Sequence, residues 1–249
     1  MIATVRSEWI KLRTVRSNIV MVGIAILIPV AIVLLTVSFI DIFSVTDVTL
    51  TEVIAGSGTM SVMVLGVVGV LCVTQEYSQG TIRLTLAATS SRLRVYGSKL
   101  VVVATLATIV MLIVIAVCRT LGAAILEGRD VTTVVGYDGE FAVYGAMVVV
   151  AMLVAMLGCA AGTLTRNPPG AISSLLLWPL VVEGIVGGVL SLVIDGWKQD
   201  WLPFQSGLSG LQVSVYDLEF GRWGAIGYFA LWVLAVTLLA VRLLKRRDA

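Results

Sequence analysis

The 249-residue chain has no histidine, three cysteines and five prolines, and only 13% of its residues are charged. The absence of histidine excludes His-based zinc sites, His proton relays and Ser-His-Asp catalysis. Cys72, Cys118 and Cys159 form no C-x-x-C pair and lie within or at the ends of apolar runs, which favours packing over redox or metal chemistry. The sequence also lacks G-x-x-x-x-G-K-S/T, so the chain has no P-loop to hold ATP phosphates. We therefore predict no catalytic residue, no metal site and no cofactor bound by this chain.

Apolar residues dominate instead: 59% of the chain is hydrophobic and the mean hydropathy is +1.04. A helix of roughly 20 mostly apolar residues crosses a hydrocarbon core about 30 Å thick. Six stretches reach that length, at residues 19–40, 53–74, 100–118, 141–164, 171–193 and 223–241. We predict an all-α integral membrane protein with six transmembrane helices, which form a single transmembrane domain over residues 1–249.

Lys and Arg are divided unevenly between the two sides of these stretches. One side carries 13 of the 17: Arg6, Lys11, Arg13, Arg16, Arg83, Arg92, Arg94, Lys99, Arg166, Arg242, Lys245, Arg246 and Arg247. The other side carries Arg119, Arg129, Lys198 and Arg222. Because cytoplasmic loops are enriched in Lys and Arg, we expect both termini in the cytoplasm. The net charge of +2 says little, because it averages two oppositely charged faces. The apolar stretches make the lipid bilayer a partner, and the sequence gives no reason to expect nucleic acid.

Residues 1–18 precede the first apolar stretch and read as an amphipathic helix at the cytoplasmic surface. Apolar residues such as Trp9 and Leu12 recur at helical spacing, while Lys11 and Arg13 project elsewhere. Such a helix is either a positively charged anchor that sets topology or an element with a mechanical role.

The longest cytoplasmic connection covers residues 75–99 and is far too short to fold as a nucleotide-binding domain. Gly80 offers a break after the second span, and Thr81 is a candidate N-cap for a short helix. Ser90 and Ser91 allow a second helix start that leads into the third span. The pattern fits a short helix that presents a docking surface, but a plain connecting loop would read similarly.

The connection at residues 194–222 is unusually aromatic for a solvated linker. Phe204, Leu208, Leu211 and Val215 fall on one helical face, and Pro203 is placed to begin that helix. We predict an outer re-entrant loop with short helices before the last span; an interfacial anchor is the alternative.

Glu183 is the one acidic residue at membrane depth in the predicted spans. A charge there costs at least about 2.5–3.5 kcal/mol, so the carboxyl group is expected to be protonated, paired or turned toward protein or water. Pro179 lies one turn earlier and predicts a local bend. Glu183 is thus either a pathway or gating residue or a structural carboxyl group between helices. Two G-x-x-x-G steps, at 158–162 and 184–188, predict close helix packing.

Three sequence motifs resemble those of bacterial type-2 ATP-binding-cassette exporter permeases. Residues 76–89 look like the E-Y-x-x-G-T-I-R-x-T-L signature that follows the second span, although Ser90 stands where many relatives have proline. Residues 7–13 resemble the S-E-W-x-K-L-R opening of actinobacterial members, and residues 201–203 resemble their outer leucine-proline motif.

The resemblance implies a permease in the bacterial inner membrane that works as a dimer of identical or related chains above ATP-binding-cassette ATPase subunits. ATP and Mg would then bind to the partner ATPase. By resemblance, residues 76–86 form the cytoplasmic coupling helix, residues 7–13 the connecting helix, and the outer loop the gate. The implied site residues are Glu76, Tyr77, Gly80, Thr81, Ile82, Arg83 and Leu86 for coupling, Trp9, Lys11 and Arg13 for the connecting helix, and Phe204, beside Glu183 and Pro179, for the pathway or gate.

Other functions remain open from the sequence. A secondary transporter driven by an ion gradient would use Glu183 as its proton or cation carrier, but it predicts further buried ionisable groups and an internal repeat. An intramembrane enzyme would need a catalytic constellation, which this sequence does not offer. Only the resemblance of the motifs disfavours a purely structural membrane subunit.

Overall fold

The computed structural model describes residues 2–39, 49–82, 91–127, 139–213 and 220–246, and these residues form helices without any strand. The α-helices are α1 (Ile2–Thr14), α2 (Arg16–Ser38), α3 (Leu50–Ser78), α4 (Arg92–Glu127), α5 (Glu140–Thr165), α6 (Pro168–Leu177), α7 (Glu183–Val193), α8 (Pro203–Ser209) and α9 (Gly221–Arg246). A π-helical segment, Trp178–Val182, joins α6 to α7, and a 3₁₀ turn, Gln199–Trp201, precedes α8.

Six helical segments are long and apolar enough to cross a membrane, which confirms the predicted fold class. They are α2, α3, α4, α5, the continuous segment Pro168–Val193, and α9. Four of the described spans, α3, α4, α5 and α9, extend beyond the predicted apolar stretches at both ends, because polar residues continue them there. Helix α2 instead ends at Ser38, before the predicted end at residue 40. For α4 the extension is two turns toward the N-terminus, where Ser91 accepts a hydrogen bond from the backbone N–H of Arg94, as the predicted second start requires.

Helix α1 is separated from α2 by a single non-helical residue, Val15. The predicted amphipathic segment 1–18 is therefore a helix that ends at Thr14, and the first span begins earlier than predicted. Helix α3 starts at a capping box, in which Thr49 and Glu52 satisfy each other's backbone N–H groups. It ends before Gly80, whose φ of 67° is the left-handed conformation typical of a glycine after a helix.

The core of the bundle is the pair α3 and α5, whose contact is the most extensive between the described helices. Glycines allow this approach: a Cβ on Gly69 would overlap the carbonyl oxygen of Ala155, and a Cβ on Gly158 would overlap that of Gly66. The step at 158–162 is therefore a packing motif, as predicted. The step at 184–188 differs, since nothing described lies within 4 Å of a Cβ on Gly184 or Gly188.

This difference predicts opposite outcomes for two alanine substitutions. Gly158→Ala should push α3 and α5 apart and lower the free energy of unfolding by about 1–3 kcal/mol, because a Cβ there overpacks the contact. Gly184→Ala, which meets open space within the single chain, should leave the free energy of unfolding of the monomeric chain unchanged or slightly raised through helix propensity. Thermal denaturation of the purified chain in detergent measures both; equal stability of the two variants would contradict the close contact.

Candidate functional site

Four charged side chains meet where α1, the C-terminal turn of α3 and the start of α4 come together, which we call the α1 end of the bundle. Lys11 Nζ lies 2.7 Å from Glu8 Oε1 and 2.7 Å from Glu76 Oε1. Lys99 Nζ lies 2.6 Å from Glu8 Oε2 and 2.9 Å from Glu76 Oε1. Each lysine therefore bridges the same two carboxylates, and the cluster is neutral as a whole.

The cluster is withdrawn from solvent. Glu8, Lys99 and Glu76 are 2%, 3% and 7% exposed, whereas Lys11 is half-buried at the rim. Burying such charges is costly, so each must keep its partners: breaking one buried pair costs about 3–5 kcal/mol. Glu8 and Lys11 belong to α1, Glu76 to α3 and Lys99 to α4, so the cluster joins three helices at one point.

Lys11 stays charged in this setting. Partial burial alone would lower its pKa, but the hydrogen bonds and charges of Glu76 and Glu8 outweigh burial and raise the pKa above its usual value. A raised lysine pKa stabilises the folded state at neutral pH, and this contribution is lost only as the pH rises through that pKa.

Further hydrogen bonds extend the joint to neighbouring helices. Lys99 Nζ also donates to the carbonyl oxygen of Cys72, at 3.1 Å. Gln75 Nε2 donates to Ser17 Oγ at 2.8 Å, and Arg92 Nη1 donates to the carbonyl oxygen of Leu244 at 3.1 Å. These contacts connect α3 to the start of α2, and α4 to the end of α9.

The predicted coupling residues differ in how deeply they are buried. Glu76 is buried in the cluster, and Tyr77 is half-buried, with the guanidinium carbon of Arg166 5.1 Å from its ring centre. Gly80 is exposed, and Thr81 and Ile82 are half-buried beside it. Arg83 and Leu86 lie outside the described residues. Their role in coupling stays a prediction.

The predicted connecting-helix residues also divide. Trp9 is half-buried against the core, Lys11 belongs to the cluster and Arg13 is exposed. Sequence reasoning missed Glu8 and Lys99 as site residues. One signal was present for Glu8: it is the only acidic residue before Asp41, in a segment otherwise rich in Lys and Arg.

The other end of the bundle, which we call the α8 end, holds Glu183. Its Oε1 accepts hydrogen bonds from Trp178 Nε1 at 3.1 Å and from the backbone N–H of Phe204 at 2.9 Å. Its Oε2 accepts from the backbone N–H of Gln205 at 2.9 Å. The carboxylate thus caps the N-terminus of α8, which begins at Pro203 as predicted. This geometry favours the structural alternative for Glu183.

The expected bend at Pro179 takes the form of a π-helical turn. Because proline has no N–H to donate, the helix widens here, and the N–H of Glu183 bonds to the carbonyl oxygen of Trp178. The same turn places the indole of Trp178 on the carboxylate of Glu183. Phe204 is buried, with its ring centre 5.3 Å from that of Phe229 on α9.

Arg222 completes the arrangement at the opposite end of α8. Its Nη1 donates to the carbonyl oxygen of Gly210 at 2.8 Å, and its Nη2 donates to that of Val213 at 3.2 Å. Helix α8 therefore has a carboxylate at its N-terminus and a guanidinium group just beyond its C-terminus, which is the charge order that suits its dipole. In the sequence, Arg222 stands out only as one of the few basic residues on that side.

A double-mutant cycle tests the buried cluster. Glu8→Gln leaves an excess positive charge and Lys99→Met an excess negative charge, so each should lower the free energy of unfolding by about 3–5 kcal/mol. The double variant leaves Lys11 paired with Glu76 and should lose clearly less than the sum of the two. Thermal denaturation of the purified chain measures the cycle; additive losses would show that the two groups act independently.

A reporter cysteine tests the role of Glu183. Ser206 on α8 is fully buried, so Ser206→Cys should resist a maleimide, as the buried native cysteines should. Adding Glu183→Gln replaces an acceptor oxygen by an NH₂ group facing a backbone N–H, which should loosen α8 and increase the labelling rate at least tenfold. Asp195→Cys, exposed at the same end, supplies the upper limit of the rate. Unchanged protection of the Ser206→Cys site would refute the capping role.

Residues 4–168 match the model of a protein family described as ABC-2 family transporter protein. The match runs from α1 to the first residue of α6, so it includes the charged cluster and the central pair of helices. No curated protein matches the chain. Because the matched region exceeds half of the chain and the six apolar helices accompany it, the chain belongs to the ABC-2 family transporter proteins and is a membrane-spanning transport subunit, a permease.

Proposed function

We propose that the chain is the permease subunit of an ATP-driven exporter in the bacterial inner membrane, with both termini in the cytoplasm. In this orientation the α1 end faces the cytoplasm, in agreement with the excess of Lys and Arg on that side. Separate ATP-binding-cassette ATPase subunits bind beneath it and hold ATP and Mg. The observation that carries the proposal is the buried charged cluster, because it joins α1 to the signature motif at the end of α3.

The cluster supplies what energy transfer from an ATPase requires. A push on a flexible segment would be lost in local rearrangement, whereas α1, α3 and α4 are held at one buried point whose disruption is costly. Displacement of the segment after Glu76 would therefore move three helices together. Closure of the ATPase dimer would shift the population between inward-open and outward-open states, and the permease itself would perform no chemistry.

A cavity beside the cluster offers a place for contact with the ATPase. It has a volume of about 260 Å³ and is lined by Lys11, Gln75, Glu76, Gln79 and Thr81, among others. The second carboxylate oxygen of Glu76 is buried without a hydrogen-bond partner among the described residues. An uncompensated carboxylate oxygen is costly to bury, so a donor group of the ATPase that reached it would be stabilised.

The fifth span is the proposed contact with a second permease chain, identical or related. Its side chains are largely exposed: Leu180 is 75%, Ile185 61% and Leu192 87% exposed. Gly184 and Gly188 on the same span have open space in front of them. Small residues allow close approach of helices in a membrane, so this surface suits another helix.

Isolation of the complex tests the proposal. The chain is tagged in its native host, extracted gently together with whatever subunits accompany it, and analysed by native mass spectrometry. We expect two permease chains and two ATPase subunits, and an ATP hydrolysis rate that differs from that of the free ATPase. A chain that moves solute without any ATPase would overturn the proposal.

Gly80 provides the variant that separates assembly from coupling. Gly80→Val forces a β-branched residue into the left-handed region, so it should redirect the segment that follows α3 without disturbing the packed helices. The complex should keep its composition, while its hydrolysis rate returns to that of the free ATPase. Gly97→Val is the matched control, since Gly97 also faces open space but has ordinary helical geometry. Equal rates in the two variants would remove the coupling role of this turn.

A further inference from the structure

A polar cavity lies at the α8 end, between the first three turns of α3 and the segment that carries α8. Its volume is about 500 Å³, and the residues that line it include Glu52, Gly56, Thr59, Asp200, Gln205 and Gln212. Elsewhere the surfaces of these spans are dominated by aliphatic side chains. A cavity of this size matches the sites that hold small molecules.

The charged side chains among the described residues that line the cavity are acidic. It contains two carboxylates, Glu52 and Asp200, and no Lys or Arg among the described lining residues. Glu52 uses Oε2 to accept from the backbone N–H of Thr49 at 2.8 Å, and Oε1 has no hydrogen-bond partner in the described ranges. The carboxylate of Asp200 has no hydrogen-bond or ion-pair partner among the residues that the structure describes. Hydrogen-bond acceptors in the described lining thus outnumber donors, which would favour a bound cation over an anion.

The cavity also has apolar surface for the rest of a ligand. Along α3 the lining runs from Glu52 to Thr59, a distance of about 10 Å at 1.5 Å per residue. Ala55 of α3 and Leu208 of α8 both line the cavity. Gly56 leaves the wall of α3 open, since nothing lies within 4 Å of a Cβ placed there. A molecule with a positive group and an apolar body would satisfy both parts of the lining.

The wall opposite α3 is fixed in place by contacts already described. The backbone N–H of Gln205 bonds to Glu183, while the side chain of Gln205 lines the cavity. Arg222 holds the carbonyl oxygens of Gly210 and Val213, and Val213 also lines the cavity. Glu183 and Arg222 are therefore positioning residues for this wall. A preformed wall reduces the entropic cost of binding.

We propose that this cavity binds the positively charged group of a cationic amphiphile, with Glu52 and Asp200 as its counter-charges. The proposal rests on the proposed function in that the bound compound is a transported one. Binding itself requires neither ATP nor the ATPase. Loss of ATPase association would therefore leave the cavity's selectivity intact, and absence of binding would leave the permease role intact.

Two hydrophobic ions of the same shape and opposite charge test the selectivity. Binding of tetraphenylphosphonium and of tetraphenylborate is measured on the full chain in nanodiscs of neutral lipid, with empty nanodiscs subtracted. We expect the cation to bind at least tenfold more tightly than the anion. Equal affinities, or preference for the anion, would overturn the proposal.

Charge-removing variants locate the binding. Glu52→Gln and Asp200→Asn should each weaken binding of the cation about tenfold and leave that of the anion unchanged or stronger. Glutamine also serves in a capping box, so Glu52→Gln keeps the start of α3 intact. Asp195→Asn, exposed at the same end and outside the cavity lining, should bind as the wild type does. Equal losses in all three variants would indicate a general surface-charge effect and refute the site.

A steric variant separates the cavity from charge effects. Gly56→Leu should fill the open wall and reduce binding of the cation at least tenfold, with an unchanged melting temperature. Gly23→Leu is the matched control, because Gly23 on α2 also has nothing within 4 Å of a Cβ position and does not line the cavity. Full binding by the folded Gly56→Leu variant would exclude this cavity as the site.

Discussion

The buried cluster of Glu8, Lys11, Glu76 and Lys99 is the interaction on which the architecture of the α1 end depends. Apolar contacts between membrane helices do little to fix the relative positions of the helices, because lipid tails are as apolar as the side chains they would replace. Paired charges at 2.6–2.9 Å, by contrast, fix the positions of the three helices that carry them. Lys99 bonds both carboxylates from α4, so the amphipathic helix α1 cannot move away from the bundle without exposing a buried charge.

The six spans could be predicted from the sequence because the length of an apolar run is a local property. The partners in the charged cluster could not, since Glu8 and Lys99 are 91 positions apart and meet only when α1 lies against α4. The two G-x-x-x-G steps show the same limit: identical spacing gives tight packing at Gly158 and open space at Gly184, according to which helix stands opposite. The depth of Glu183 in its span marks it as exceptional in the sequence. Whether it is a gating residue or a structural carboxyl group depends on Pro203 and α8, which lie beside it only in the folded chain.

The two ends of the permease each use a few charged residues, but for different physical purposes. At the α1 end, opposite charges neutralise one another between three helices, which gives stiffness where force would be received. At the α8 end, Glu183 and Arg222 bond to backbone groups of one short helix. In the cavity, by contrast, Asp200 and the Oε1 atom of Glu52 have no side-chain partner among the described residues. Under the proposed function, stiffness and ligand recognition lie at opposite ends of the bundle.

The double capping of α8 has a mechanical consequence. Glu183 belongs to the fifth span and Arg222 to the last, so any parting of these two spans at this end must strip the bonds from one terminus of α8. The fifth and last spans and α8 between them should therefore move as one rigid unit. Any opening at this end would then occur between this unit and α3, where Gly56 leaves space. The volume of the cavity between them would therefore change during each transport cycle.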